Sequence, residues 1–365
     1  MIKYIGSKRL LVPVLGEIAR ALSPSTALDL FTGTTRVAQE FKRQGIQVTA
    51  VDTASYAETL ARCFIETDAD TIDTFEVAEA LRHLNSLPGR VGYFTEVFCQ
   101  QARYLQPFNG QRVDAIRDCL EAEYRDTKLY PVLLTALLLA ADRVDSTAGV
   151  QMSYLKQWAP RSFRTLELRL PALLSGAGTA VRADASEVAE SAPPVDLAYL
   201  DPPYNQHRYF TNYHVWETLV RWDAPDYYGV ACKRLDARGE STRSAFNAKR
   251  KMPGALESLI RRTRARVVVV SYNDESWIQP DQLVSWLVDA GHEQVRLLAF
   301  DSKRYVGAQI GIYSPAGHKV GTVGRLRNTE YLFVAGDAAA MDEIARADLG
   351  AIGLPVPGMT FDTAD

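Results

Sequence analysis

Between Thr26 and Asp52 the chain leaves little choice of fold. Thr26 to Phe31 (TALDLF) is an apolar run of strand length, and Thr32-Gly33-Thr34-Thr35 supplies a turn. Arg36 to Gln44 has helical spacing and stops at Gly45, the residue type that most readily ends a helix. Gln47 to Asp52 (QVTAVD) is strand-like again. A strand, a helix and a strand in so short a stretch must set the strands parallel with the helix across them. That unit opens a doubly wound α/β sheet.

Five more runs read as strands: Ala180 to Asp184, Val195 to Asp201, Arg266 to Asn273, Gln294 to Phe300 and Thr329 to Ala335. With the first two they predict a seven-stranded sheet. Leu11, Val14, Leu15, Ile18 and Leu22 are spaced as one helix face, closed by Ser23-Pro24-Ser25. From about Ala54 to Pro160 the pattern is mostly helical, with no core strand. The expected organisation is a sheet domain from residues 1–53 and 166–336, a helical insertion at 54–165, and a peripheral acidic, Ala-rich tail at 337–365.

Composition narrows the functional classes. The chain has 365 residues, enough for a full α/β core, and a net charge of -3, so it is not a polycation. A nucleic-acid partner has to be met by local basic segments. The four cysteines, Cys63, Cys99, Cys119 and Cys232, form no C-x-x-C pair and lack metal-ligand spacing with the histidines. They read as thiols in a reducing cytoplasm, with no metal centre. The N-terminal residues lack the apolar core of a signal peptide, and Val132 to Ala141 is too short to span a bilayer, so no membrane role is expected.

The chemistry concentrates at Asp201-Pro202-Pro203-Tyr204, directly after a strong strand. In open α/β sheets ligands bind at that carboxyl edge. Two prolines fix φ and remove two N–H donors, so the turn presents one carboxylate and carbonyl oxygens, all acceptors. An exocyclic amino group carries two N–H donors and a lone pair delocalised into its ring. Asp201 and the Pro202 carbonyl can accept both bonds, localise the lone pair and let the nitrogen attack a methyl sulfonium. Tyr204 offers a face for stacking. A base within a duplex cannot reach such a pocket and has to be flipped out. A glycine turn at Gly33 with an acidic Asp52 closing the next strand suits a ribose. The missing G-x-G-x-x-G argues against a dinucleotide.

At these residues the chain resembles the Dam-type, α-group N6-adenine DNA methyltransferases, from residue 3 to about 335. Asp201-Pro202-Pro203-Tyr204 looks like the family's catalytic motif, and Tyr4-Ile5-Gly6-Ser7-Lys8 like its N-terminal cofactor motif. Asp29-Leu30-Phe31-Thr32-Gly33-Thr34 is similar to its glycine loop. The resemblance implies S-adenosylmethionine as cofactor, held by Tyr4, Gly6, Lys8, Asp29, Phe31, Gly33, Asp52 and Asp184. Asp52 would bond the ribose hydroxyls, and Asp184 would lie near the adenine. It implies a Rossmann-like methyltransferase sheet, a target-recognition role for the 54–165 insertion, double-stranded DNA as substrate, and in some settings a cognate restriction endonuclease. The loop departs from the pattern at Thr34-Thr35, where a second glycine is usual. Thr35 carries a Cβ that would hold the loop further from a ligand.

DNA contacts are expected in three places. Asn205 to His214 alternates aromatic, amide and basic groups, with Tyr209 or Phe210 covering the base. Lys233, Arg234, Arg238, Arg243, Lys249, Arg250 and Lys251 form a basic stretch, and Lys303, Arg304, Lys319, Arg325 and Arg327 a second. Arg143, Gln151, Lys156 and Gln157, near Trp158, are candidate base readers. Competing expectations are cytosine-N4 methylation by the same amino chemistry, action on RNA, a catalytically silent DNA-binding regulator, and a nucleotide-binding oxidoreductase.

Overall fold

The computed structural model describes residues 2–4, 6, 8–152, 154–155, 157–203, 209–239, 242–303, 312–313, 319–321, 327–347 and 349, with backbone alone at 302–303, 312–313 and 319–321. In chain order the strands are β1 (Thr26–Asp29), β2 (Gln47–Asp52), β3 (Thr179–Arg182), β4 (Val195–Leu200), β5 (Tyr227–Tyr228), β6 (Lys233–Arg234), β7 (Ala265–Asn273), β8 (Gln294–Lys303), β9 (Ile312–Tyr313), β10 (Lys319–Gly321) and β11 (Arg327–Gly336). The seven expected strands make one sheet in the order β3-β2-β1-β4-β7-β11-β8. All run parallel except β11, which pairs antiparallel with both β7 and β8. β5 with β6, and β9 with β10, are separate two-stranded ribbons.

Successive strand residues point to opposite faces, and the core follows that alternation. Ala27, Val48, Ala50, Leu197, Tyr199, Val267 and Val269 belong to one buried cluster; Leu28, Val51, Ala198, Leu200, Val268 and Val270 belong to the other. Helices α1 (Val12–Leu22) and α2 (Arg36–Arg43) cover the first face. α1 begins at Val12, after a 3-10 turn at Lys8–Leu10.

Helices α3 (Ser55–Ala61), α4 (Thr74–Ser86), α5 (Pro107–Cys119) and α6 (Tyr130–Arg143) follow β2. Their apolar residues, among them Leu60, Leu84, Ile116 and Leu137, belong to the same cluster as the first sheet face. Three π-helical turns, Arg62–Glu66, Thr95–Gln101 and Leu120–Tyr124, interrupt this segment. Residues 144–178 return to the sheet with a 3-10 turn as their one regular element among the described residues. The opposite face is covered by α7 (Ala185–Ser191), α10 (Met252–Arg262) and α11 (Pro280–Asp289), with α8 (Tyr209–Asn212) and α9 (His214–Arg221) lying between α7 and α10 in the chain.

The start of the tail differs from its expected peripheral place; residues 348 and 350–365 lie outside the described residues. Ala338–Ala345 is a helix whose Ala340, Met341 and Ile344 are buried in the first cluster, against α1. An Asp337 N-cap starts it, accepting a bond from the Ala340 N–H. Cys63, Cys99 and Cys232 are buried free thiols, and Cys119 is half-buried beside groups distant in sequence. Cys119 Sγ lies 3.5 Å from His83 Nε2, which is 3.4 Å from Glu123 Oε2, a grouping that separation in sequence hides. Among the described residues no helix is long and apolar enough to cross a membrane.

Candidate active site

The chain winds from β1 outward to β3, then returns to start β4 beside β1. Between β1 and β4 the sheet reverses direction of growth, and there the loops part to leave a crevice. Asp29 ends β1, Asp52 ends β2 and Asp201 follows β4, so three carboxylates reach one edge. A cavity of about 670 Å³ opens there, within the roughly 300–1,000 Å³ usual for small-molecule sites. Tyr4, Gly6, Phe31, Gly33, Asp52, Asp184, Asp201 and Pro203 all line it. Lys8 and Asp29 line a smaller adjoining cavity that shares Tyr4, Gly6, Phe31, Gly33 and Asp201 with it. Pro202 is buried. Tyr204, Ile5 and Ser7 lie outside the described residues.

Asp201 is held by charge. Lys8 Nζ is 3.1 Å from Asp201 Oδ1 and 3.3 Å from Glu330 Oε2 on β11. Burial pushes the Asp201 carboxyl up to about 6, against the pull of the Lys8 ammonium. Tyr4 anchors an aromatic stack over this edge. Its ring lies 4.6 Å from that of Tyr213 and 5.3 Å from that of Tyr209, both near parallel. Its hydroxyl is 3.3 Å from that of Tyr56. The stack is why Gly33 is glycine: a Cβ there would come 3.2 Å from the Tyr4 ring, and its φ is +49°.

The glycine loop resolves the departure at Thr35. That residue takes φ +61°, the left-handed region that glycine enters freely and threonine at a cost of about 1–3 kcal/mol. Its hydroxyl donates to the Thr34 carbonyl at 2.7 Å and accepts from Gln39 Nε2 at 2.8 Å, which offsets part of that cost. Asp52 Oδ2 accepts from the Gly33 N–H (2.9 Å) and Oδ1 from the Ala54 N–H (3.0 Å). Asp52 thus tethers the loop, and burial raises its pKa. Asp184 caps α7 through the Ser186 N–H at 2.9 Å while lining the cavity.

Several expected DNA-contacting residues turn out to be internal. Gln151 is 2% exposed, and its Oε1 accepts from the N–H groups of Val215 and Trp216 at the start of α9. It cannot read a base edge. His214 is fully buried between the Thr211 and Ala231 carbonyls, and burial pushes its pKa down to about 4, so it brings no charge to a phosphate. Arg234 is 1% exposed and bound to Asp223 and Asp236. Arg238 stacks on Tyr228 at 3.8 Å. Arg327 pairs with Asp301. Lys249, Arg250 and Lys251 are exposed beside Phe246 and Asn247, which line the cavity, as Arg243 does. Arg143 and Gln157 are exposed, and Trp158 is covered by Arg103 at 4.6 Å. Tyr209 and Phe210 line the cavity. Residues 205–208, Lys156, Arg304 and Arg325, and the side chains of Lys303 and Lys319, lie outside the described residues.

Glu330, Arg36 and Glu217 escaped the sequence reading. Glu330 had one signal, a carboxylate within the apolar run TEYLFVA. Arg36 is the first residue of α2 and lines the smaller cavity. Glu217 is buried and accepts from the Ser55 and Tyr56 N–H groups (3.0 and 3.4 Å), capping α3 from across the site. Nothing in linear spacing marks either.

A rigid acceptor turn beside a crevice of this size, rich in carboxylates and aromatic rings, suits a cationic ligand and a flat amine-bearing one. Comparison with known proteins agrees. The family model for the D12 class N6 adenine-specific DNA methyltransferases matches residues 4–285. Type II methyltransferase M.NlaIII of Neisseria lactamica is 31% identical over 296 residues, 77% of this chain and 86% of that protein. Type II methyltransferase M.CviAII of Paramecium bursaria Chlorella virus 1 is 26% identical, covering 80% and 90%. Modification methylase StsI of Streptococcus sanguinis is 28% identical over 78% of this chain, which spans only 46% of that longer protein. With the matched region running from the Tyr4 stack through the acceptor turn to α11, the chain belongs to the D12 class N6 adenine-specific DNA methyltransferases.

Proposed function

We propose that the crevice between β1 and β4 binds S-adenosylmethionine and that Asp201 presents an extruded adenine of double-stranded DNA to it. The observation that carries this is the charge pattern at one sheet edge. Asp29 is a buried carboxylate and Asp52 a half-buried one, both beside the glycine loop, and Asp29 Oδ1 has no hydrogen-bond partner. A cationic cofactor meets that demand. Bound S-adenosylmethionine supplies an electrophilic methyl on a sulfonium. Asp52, fixed by Gly33 and Ala54, keeps lone pairs for ribose hydroxyls. Asp184 and Phe31 face the same cavity, where Phe31 meets Phe246 edge to face at 5.1 Å.

On the substrate side, Asp201 accepts one amine hydrogen and the Pro202 carbonyl a second, which localises the nitrogen lone pair. Lys8 keeps Asp201 ionised and aimed. Pro203 and Tyr209 confine the ring, and Asp201 is the nearest acceptor for the proton that the amine loses. The same enzymes among its relatives are named for type II modification, so by that likeness the proposed setting is a restriction–modification pair with a cognate endonuclease. The recognition role falls to the α3–α6 segment with residues 144–165. Methyl-labelled S-adenosylmethionine, duplex DNA and nucleoside analysis test the proposal. Label on N6-methyldeoxyadenosine is expected; label on N4-methyldeoxycytidine, on RNA alone or on nothing overturns it.

Two further results are expected here. A protonated Asp201 donates rather than accepts, so kcat/KM should be flat at neutral pH and fall as pH drops through about 6. Lys8 pulls that pKa down, so Lys8→Met should move the acid limb to higher pH. A profile with no such limb, or one that Lys8→Met leaves in place, refutes Asp201 as the acceptor. Neutralising Lys249, Arg250 and Lys251 together should weaken DNA binding and reduce the slope of log K against log salt by up to about 2.7, at about 0.9 per phosphate contact. An unchanged slope would show that these three side chains face only water.

A further inference from the structure

We propose that His83, Cys119 and Glu123 form a binding site for one zinc-type divalent cation, which ties α4 to the end of α5 on the surface of the helical segment. His83 lies in the last turn of α4. Cys119 is the final residue of α5, and Glu123 follows within the π-helical turn Leu120–Tyr124. None of the three lines the crevice or its smaller neighbour, so the site is separate from the one described above. His83 and Cys119 are 36 residues apart in sequence, which is why linear spacing passes over them.

The spacing of the donor atoms is that of a tetrahedral centre. Zinc takes a thiolate at about 2.3 Å, an imidazole nitrogen at about 2.0–2.1 Å and a carboxylate oxygen at about 2.0–2.2 Å. Tetrahedral angles between such bonds set the S···N edge at about 3.6 Å and the N···O edge at about 3.4 Å. Cys119 Sγ is 3.5 Å from His83 Nε2, and that nitrogen is 3.4 Å from Glu123 Oε2. All three donor atoms lie within 4.8 Å of one another. The remaining S···O edge closes by rotation of the Glu123 side chain, which is exposed and free to turn.

Charge favours the same occupant. Glu123 pairs with no lysine or arginine among the described residues, whereas Glu121, two residues away, holds both Arg117 and Arg125. Burial, with the Glu123 carboxylate beside it, pushes the Cys119 thiol up to about 11, so without a cation the thiol keeps its proton. A bound divalent cation reverses this. The thiol proton passes to water, and one thiolate with one carboxylate balances the two positive charges, with no change of oxidation state. Mixed sulfur, nitrogen and oxygen donors select zinc and its neighbours over magnesium or calcium, which take oxygen ligands. The cluster is open on its solvent side, so water completes the fourth position.

The test is calorimetric titration of the untagged full chain, stripped of metal and kept reduced, with zinc and with magnesium. One equivalent of zinc should bind, and excess magnesium should not displace it. Cys119→Ser and His83→Gln should each weaken zinc by about a hundredfold or more, since even partners outside a ligand set cost about 10–100-fold. Cobalt(II) in place of zinc should give the visible bands of a tetrahedral ion and a near-ultraviolet thiolate band, the latter lost in Cys119→Ser. Zinc should raise the Tm of the unmodified chain and leave both variants unmoved, with their metal-free Tm values unchanged. His83 is exposed, so His83→Gln carries the test alone if Cys119→Ser fails to fold. No zinc bound by the unmodified chain, or an affinity that His83→Gln leaves unchanged, would mean that the three side chains only hydrogen-bond one another, and overturns the site.

Discussion

Asp201→Ala is expected to lower kcat for adenine methylation by about 10²- to 10³-fold, the effect of deleting one preorganised polar partner at the reacting group. Cofactor affinity should stay within a few-fold, since the proposed cofactor side of the crevice is formed by β1, β2 and the glycine loop. Asp201 follows β4, and its charge partner is Lys8, which keeps Glu330 when the carboxylate is gone. The lysine is therefore not released into the site, and the fold loses no backbone bond. Stopped-flow or steady-state turnover with a calorimetric binding control separates the two effects. Turnover within tenfold of the unmodified enzyme would remove Asp201 from the reaction.

Arg234→Ala should destabilise the fold by about 3 kcal/mol, the low end of the range for stripping one partner from a buried ion cluster. The guanidinium grips Asp223 with two bonds of 2.7 Å and Asp236 with bonds of 3.0 and 2.7 Å. It also faces Thr218 Oγ1 at 3.3 Å. Removing it leaves Asp223 and Asp236 to Arg221 alone, which pairs with them at 2.8 and 3.3 Å. Asp223 and Asp236 are partly exposed, so water takes up some of the cost, and the lower value follows. Urea unfolding measures it, and pairing the change with Asp223→Asn should recover part of the loss. A phosphate-binding Arg234 would behave oppositely, with DNA affinity reduced and the unfolding midpoint unmoved.

Strand positions were legible because each is a short apolar run closed by a turn residue, and the run from β1 to β2 carries its own topology. The site was legible where a motif is contiguous: Asp201-Pro202-Pro203, the glycine loop and Asp52 all meet at one edge. What stayed hidden depends on neighbours distant in sequence. Arg234 and Gln151 look like surface polar residues until Asp223, Asp236 and the start of α9 are brought to them. His214 reads as a basic contact until burial removes its charge. Glu330 reaches Lys8 across most of the chain. The π-helical turns add one residue to a helix without altering its composition, so periodicity passes over them.

On the proposal that helices α3 to α6 carry target recognition, the apolar mass they share with the sheet's first face restricts how specificity can change. Transplanting the helical segment from a relative would expose half of a shared interior on each side of the graft, and neither half could close alone. New target sequences must then arise by exchange of outward-facing side chains and surface loops, one position at a time, over an interior that stays put.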